Sequence, residues 1–160
     1  MATELAVGHA RQVSLASAAL PPSLRQADYL DVFEVTVAES DARTPETLAR
    51  QALEQSSPAL REGIRFAHKA LLRFRLGPAD SPQHILGWRI AVSTPDAVHL
   101  EAESPLMDGT LILRRVDAST SQLITALHYK QQRPAAVIWR AIGPIHRTAA
   151  PYLMNKVVIR

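Results

Sequence analysis

Residues 133–160 read RPAAVIWRAIGPIHRTAAPYLMNKVVIR, and this segment is the clearest structural signal in the chain. At 100° per residue, its apolar side chains share one side of a helix; they are Ile138, Ile142, Ile145, Ala149 and Tyr152. Pro144 and Pro151 fall on the opposite side, facing water. A proline there opens the backbone and bends a helix so that its apolar side is concave. The segment therefore predicts one long amphipathic helix that curves around a core.

The pattern at residues 28–38 predicts the first strand, because side chains alternate between two faces and β-branched and aromatic residues are frequent. Helix start signals follow at residues 44–45 and 57–58, where a threonine or serine precedes a proline. Such a pair supplies a capping side chain and a residue suited to the first helical position. We therefore predict helices over residues 45–55 and 58–76.

Four more strands are predicted between these helices and the last one. Alternating patterns cover residues 86–92, 98–102, 106–116 and 122–130, with turn residues between them. The order of strand, two short helices, strand meander and long helix predicts an α+β fold. In that fold the final helix packs on one face of an antiparallel sheet.

Length and composition indicate one ordinary globular domain. The chain has 160 residues, enough for a real core; we expect residues 1–27 to be a loosely held N-terminal arm and residues 28–160 to be a single domain. With no cysteine, there is no disulfide, thiolate metal site or cysteine nucleophile. No apolar run is long enough to span a membrane and residues 1–20 lack a secretory pattern, so we expect a cytoplasmic protein without membrane contact. The net charge of +3 is scattered along the chain, which disfavours nucleic-acid binding.

A metal site and a nucleophilic site are both disfavoured. His99, Glu101 and Glu103 share one face of a predicted strand and are of metal-binding type. The apolar residues that alternate with them must be buried in the core, so we expect the acidic face to point to water. There it can pair with nearby arginines, which are Arg89, Arg114 and Arg115. Neither a G-x-S-x-G turn nor a phosphate-binding glycine loop occurs. We expect no metal and no cofactor.

Trp139 and His146 lie two helical turns apart, beside the apolar side of the last helix. They either form the rim of a pocket or have structural roles, with Trp139 in the core and His146 bonded to a loop carbonyl. Strand alternation adds residues that face this helix. The full set of pocket candidates is Trp88, Leu100, Thr125, Leu127, Tyr129, Trp139, Ile142, His146 and Tyr152.

Three segments resemble an uncharacterised bacterial family classed as a domain of unknown function. They are FRLGPADSPQHILGWRI (residues 74–90), HLEAESPLM (99–107) and WRAIGPIHR (139–147) followed by PYL (151–153). That family is similar to the START-like helix-grip (SRPBCC, polyketide cyclase-like) superfamily, and the resemblance covers residues 28–160. It implies a helix-grip fold, in which a curved antiparallel sheet wraps around a long C-terminal helix and leaves a cavity for small hydrophobic molecules. It implies no catalytic residues.

We therefore expect a binding protein rather than an enzyme, with a small hydrophobic or amphipathic ligand between the sheet and the last helix. An alternative is a cyclase or dehydratase type of enzyme that uses the same cavity, with His146 carrying a proton beside a carboxylate such as Glu34 or Asp108. A further alternative is a protein with no open cavity that binds a partner, including a second copy of itself through an exposed strand edge.

Overall fold

A seven-stranded antiparallel sheet is the centre of the computed structural model, which describes residues 7–159. Its strands are β1 (Gly8–Gln12), β2 (Tyr29–Thr36), β3 (His84–Ile85), β4 (Trp88–Ser93), β5 (Ala97–Glu103), β6 (Met107–Asp117) and β7 (Thr120–Tyr129). They lie in the order β1-β2-β7-β6-β5-β4-β3, so β1 and β3 are the two edges and the sheet is open. The predicted α+β class and the strand meander are confirmed.

Three α-helices accompany the sheet: α1 (Pro45–Glu54), α2 (Pro58–Phe66) and α3 (Gln132–Ile159). The two predicted start signals act as caps, because Thr47 N–H donates to Thr44 Oγ1 at 3.2 Å and Leu60 N–H donates to Ser57 Oγ at 3.4 Å. A π-helical turn, Ala67–Leu71, follows α2 directly. Among residues 7–159, no helix combines the length and apolar character needed to cross a membrane.

Helix α3 runs without a break through Pro144 and Pro151. Its fully buried side differs from the predicted one; it consists of Ala135, Trp139, Ile142, Gly143, Ala150, Met154, Val157 and Val158. Ile145 and Tyr152 are instead 66% and 47% exposed. The rotation of the helix about its axis is set by the burial of Trp139 together with the apolar residues of its last two turns. Ile145 and Tyr152 therefore face outward.

The described part of the predicted N-terminal arm contributes a strand to the sheet. Strand β1 pairs with β2, and the following segment places Leu20 and Leu24 on the face of the sheet opposite α3. We call this the outer face, and the face toward α3 the inner face. The two leucines cover apolar side chains of three strands, which are Val32, Ile112, Ile124 and Ala126. This burial explains why the arm is ordered. The first six residues lie outside the described part.

A tight turn and a glycine place the ring of Trp88 on the inner face. Leu86 and Gly87 have φ angles of 49° and 88°, as in a two-residue type I′ hairpin turn between β3 and β4. Leu86 therefore lies in the turn rather than in the predicted strand. On β6, a Cβ at Gly109 would lie 2.9 Å from both the Phe74 and the Trp88 ring. Only glycine leaves room for these two rings against the strand.

Candidate ligand cavity

A cavity of about 550 Å³ lies between the inner face of the sheet, α1, α2 and α3. This volume is within the range of small-molecule sites, roughly 300–1,000 Å³. Its walls are almost entirely apolar and include Val35, Leu48, Leu53, Leu111, Leu113, Leu123 and Met154. The core is therefore incompletely filled where sheet and helices face each other.

The opening of the cavity is also apolar. Phe66 at the end of α2 and Ile145 in the middle of α3 both line the cavity, yet they are 62% and 66% exposed. Leu71 of the π-helical turn is a third exposed lining residue. Helix α2 buries none of its side chains completely. Apolar side chains that border both the interior and solvent mark the entrance between α2 and α3.

Seven of the nine pocket candidates line this cavity: Trp88, Leu100, Thr125, Leu127, Trp139, Ile142 and His146. They come from β4, β5, β7 and α3, as the alternation along the strands predicts. Trp139 and His146 thus lie beside each other on the cavity wall, with ring centroids 5.4 Å apart.

The other two pocket candidates, Tyr129 and Tyr152, do not line this cavity. Tyr129 occupies the end of β7, where its backbone N–H donates to Asp28 Oδ2 at 2.6 Å. Burial raises the pKa of Tyr129, and the nearby Asp28 charge adds to this. Tyr152 lies on the solvent side of α3, with Lys156 Nζ 5.1 Å from its ring centroid. The rotation of α3 toward Ala150 and Met154 turns this tyrosine away.

A hydrogen-bonded group of three side chains lies beneath the cavity wall. Asp31 on β2 is 1% exposed, and its Oδ2 accepts a bond from the Tyr29 hydroxyl at 2.5 Å. The same oxygen lies 3.0 Å from Nε2 of His146. Burial, and next the hydrogen bond to Asp31, raises the pKa of Tyr29 to about 12, so the phenol keeps its proton and acts as donor.

Two buried oxygens beside this group lack a partner. Asp31 Oδ1 and Thr125 Oγ1 form no hydrogen bond within residues 7–159. The two residues are direct cross-strand neighbours on β2 and β7, so their side chains share the inner face. A buried polar atom without a partner costs roughly 1–3 kcal/mol. Of the two residues, Thr125 lines the cavity, so a polar group of a bound molecule would relieve the cost there.

His68 lies in the π-helical turn and lines the cavity from another side. Trp88 Nε1–H donates to His68 Nδ1 at 3.1 Å, so the neutral ring carries its hydrogen on Nε2. Burial, and next the charge of His146, lowers the pKa of His68 to about 4. The ring is therefore neutral at physiological pH and is a hydrogen-bond donor through Nε2.

The sequence singled out other carboxylates than the one that contacts His146. Glu34 accepts from Gln122 Nε2 at 3.0 Å, and Asp108 pairs with Lys130 Nζ at 3.0 Å, so neither serves His146. Asp31 is the partner. The alternation of side chains along β2 could have identified Asp31, because this carboxylate lies on the same face of the strand as the core residues Phe33 and Val35.

The acidic face of β5 pairs with basic side chains. Glu101 forms the predicted ion pair with Arg89. Glu103 lies 3.6 Å from Arg75 and 4.0 Å from Lys130. The other two predicted partners bind elsewhere: Arg114 donates to Gln122, and Arg115 donates to backbone carbonyls around residues 38–41. Within the described chain, no three histidine or acidic side chains are grouped as metal ligands.

The sequence matches no protein-family model, and the comparison with curated proteins gives no match.

Proposed function

We propose that this protein binds a small hydrophobic or amphipathic molecule in the cavity between the inner face of its sheet and α3. The observation that carries the proposal is the cavity itself, about 550 Å³ of apolar-walled space in a chain of ordinary size. Folding normally fills such a space, because protein interiors pack as densely as organic crystals. A space this large gives a ligand the apolar contacts that the protein lacks.

An amphipathic ligand fits better than a purely apolar one. The orphaned oxygen of Thr125 and the Nε2–H of His68 offer hydrogen bonds at the cavity wall, whereas most of the wall is apolar. A few fixed polar groups in an apolar pocket set the orientation of a ligand. We expect a molecule with an apolar body and one small polar end.

We also propose that the chain has a helix-grip fold of the START-like (SRPBCC) type. The order of elements supports this, with two short helices after an early strand, a meander, and a long last helix on one face of the sheet. The resemblance of residues 74–90 and 139–147 to a family similar to that superfamily supports it further. The binding proposal does not depend on this assignment, because it rests on the cavity.

Native mass spectrometry of the purified protein tests the binding proposal, followed by thermal-shift titration with fatty acids, sterols and aromatic polyketides. We expect a retained molecule or a rise in melting temperature that saturates with ligand, because binding to the folded state alone stabilises it. In the variant Leu111→Trp, the indole fills part of the cavity, so the shift should disappear. Ile112, the next residue, lies on the outer face.

The variant Ile112→Val is the matched control. It should lose stability by about 0.5–1.5 kcal/mol from the missing methyl group, but keep the ligand-induced shift. If no molecule is retained, and neither the wild type nor Ile112→Val responds to any ligand of the panel, the binding proposal is wrong. An equal response of Leu111→Trp and wild type would place the ligand elsewhere.

A further inference from the structure

We propose that the polar floor of the cavity is a catalytic site that moves a proton at the carbon beside the carbonyl group of an apolar ketone. His146 is the base, Asp31 is its positioning residue, and His68 donates a hydrogen bond to the carbonyl oxygen. This inference rests on the binding proposed above. It uses the two histidines of the cavity wall, which differ in their surroundings.

The contacts of His146 leave one ring nitrogen free to act as a base. Asp31 Oδ2 already accepts the Tyr29 proton, so this oxygen is an acceptor and the hydrogen between it and His146 lies on Nε2 of the ring. The lone pair of the neutral ring is then on Nδ1, which has no partner within residues 7–159. A carboxylate that fixes one nitrogen in this way orients the ring.

The contacts of His68 make it a hydrogen-bond donor, whereas those of His146 make it a base. Its Nδ1 is occupied by the indole N–H of Trp88 at 3.1 Å, so the neutral ring presents Nε2–H as a donor. A neutral imidazole in this state polarises a carbonyl oxygen by donating a hydrogen bond to it, and it does not transfer its proton. Both histidines line the cavity, one held as a base and one as a neutral donor, and so they have separate base and acid roles.

The reaction step balances within these groups. The Nδ1 lone pair of His146 takes the proton from the α-carbon, and the electrons of that C–H bond form the carbon–carbon double bond of an enolate. The negative charge moves to the carbonyl oxygen, where the Nε2–H of His68 stabilises it. The imidazolium then returns a proton to carbon. In D2O the ring exchanges with solvent before the return, so deuterium replaces hydrogen at the α-carbon.

The test uses 2-tetralone, an apolar bicyclic ketone, in D2O, with loss of the α-proton signal followed by NMR. Binding is followed in the same samples by the fluorescence of Trp88 and Trp139, which both line the cavity. We expect saturable exchange faster than in protein-free buffer. His146→Ala should lower kcat by about 100-fold or more, the usual contribution of a general base, and added imidazole should restore part of the rate.

Two further variants separate catalysis from folding. Asp31→Asn should lower kcat more than it changes KM, because the amide no longer fixes the base, and His68→Gln should lower kcat while the indole N–H keeps an acceptor. His128→Gln is the control, since His128 lies on the outer-face side of β7 and should leave the rate unchanged.

Three outcomes overturn the inference. The first is saturable binding of 2-tetralone with exchange no faster than in buffer, which leaves the binding proposal standing. The second is exchange by folded His146→Ala at the wild-type rate without imidazole. Absence of any fluorescence change with 2-tetralone overturns both this inference and the expected fit of a small apolar ketone, whereas the ligand panel tests binding independently.

Discussion

The ring of His68 links the stability of the fold to pH. The ordinary pKa of a histidine is 6.5, whereas burial lowers that of His68 to about 4. Between these values the unfolded chain binds a proton on this ring and the folded chain does not. The free energy of unfolding therefore falls as the pH falls from about 6.5 to about 4, and above this window the ring contributes no such penalty.

Urea unfolding at pH 7 and at pH 4.5 measures this effect. We expect the wild type to lose up to about 3 kcal/mol from His68 alone, since one pKa unit corresponds to about 1.4 kcal/mol. His68→Gln should lose correspondingly less, because glutamine does not titrate and still accepts the Trp88 N–H. His128→Gln should keep the wild-type loss. The same loss in His68→Gln and in wild type would show that other groups cause it.

Helices α1 and α2 differ in how firmly they are held. In α1, Leu48 and Ala49 are buried, and Arg50 donates to the carbonyls of Pro82 and His84 at 2.8 and 2.9 Å. Helix α2 has no fully buried side chain, and a bond from Arg61 to the Glu54 carbonyl at 2.8 Å ties it to the end of α1. Elements with little apolar burial open at low free energy.

Hydrogen–deuterium exchange with mass spectrometry tests this difference. We expect amides in the last turn of α2 to be at least about tenfold less protected than the corresponding amides of α1. A ligand in the cavity should raise the protection of α2 most, because Leu60, Ile64 and Phe66 line the cavity. Equal protection of α1 and α2 without ligand would contradict the assignment of α2 as the weakly held side of the cavity.

At the scale of the whole molecule, the sheet is covered on both faces by parts of the chain that are distant in sequence. Helices α1 and α3 pack against the inner face, while Leu20 and Leu24 pack against the outer face. The outer face buries Val32, Ile124 and Ala126 almost completely. The segment before β2 therefore contributes to the stability of the domain.

Chemical denaturation of two neighbouring variants measures this contribution. Leu24→Asp places a carboxylate in the outer core and should lower the free energy of unfolding by about 3 kcal/mol or more. Arg25→Asp changes an exposed position beside it and should alter the free energy by less than about 0.5 kcal/mol. A small loss in Leu24→Asp would mean that the N-terminal segment is dispensable for the fold.

Local sequence patterns predict most of the helices and strands of this protein. The features that they miss depend on contacts between residues distant in the sequence. The starts of α1 and α2 and the strands from β4 to β7 follow from caps, prolines and alternation within a few residues. Strand β1 does not, because its sequence GHARQ has no β-branched residue and is held by pairing with β2. The contact between Asp31 and His146 joins residues that are 115 positions apart in the sequence. Local sequence patterns do not predict which residues meet across such a separation.

The weakly held α2 at the entrance also has a kinetic consequence. A molecule inside the cavity can leave when α2 moves away, without separation of any strand. Its residence time then depends on how often this helix opens and how tightly the molecule is held, while the lifetime of the folded sheet is set by other contacts. Changes in the outer core that shorten that lifetime should leave the release rate nearly constant.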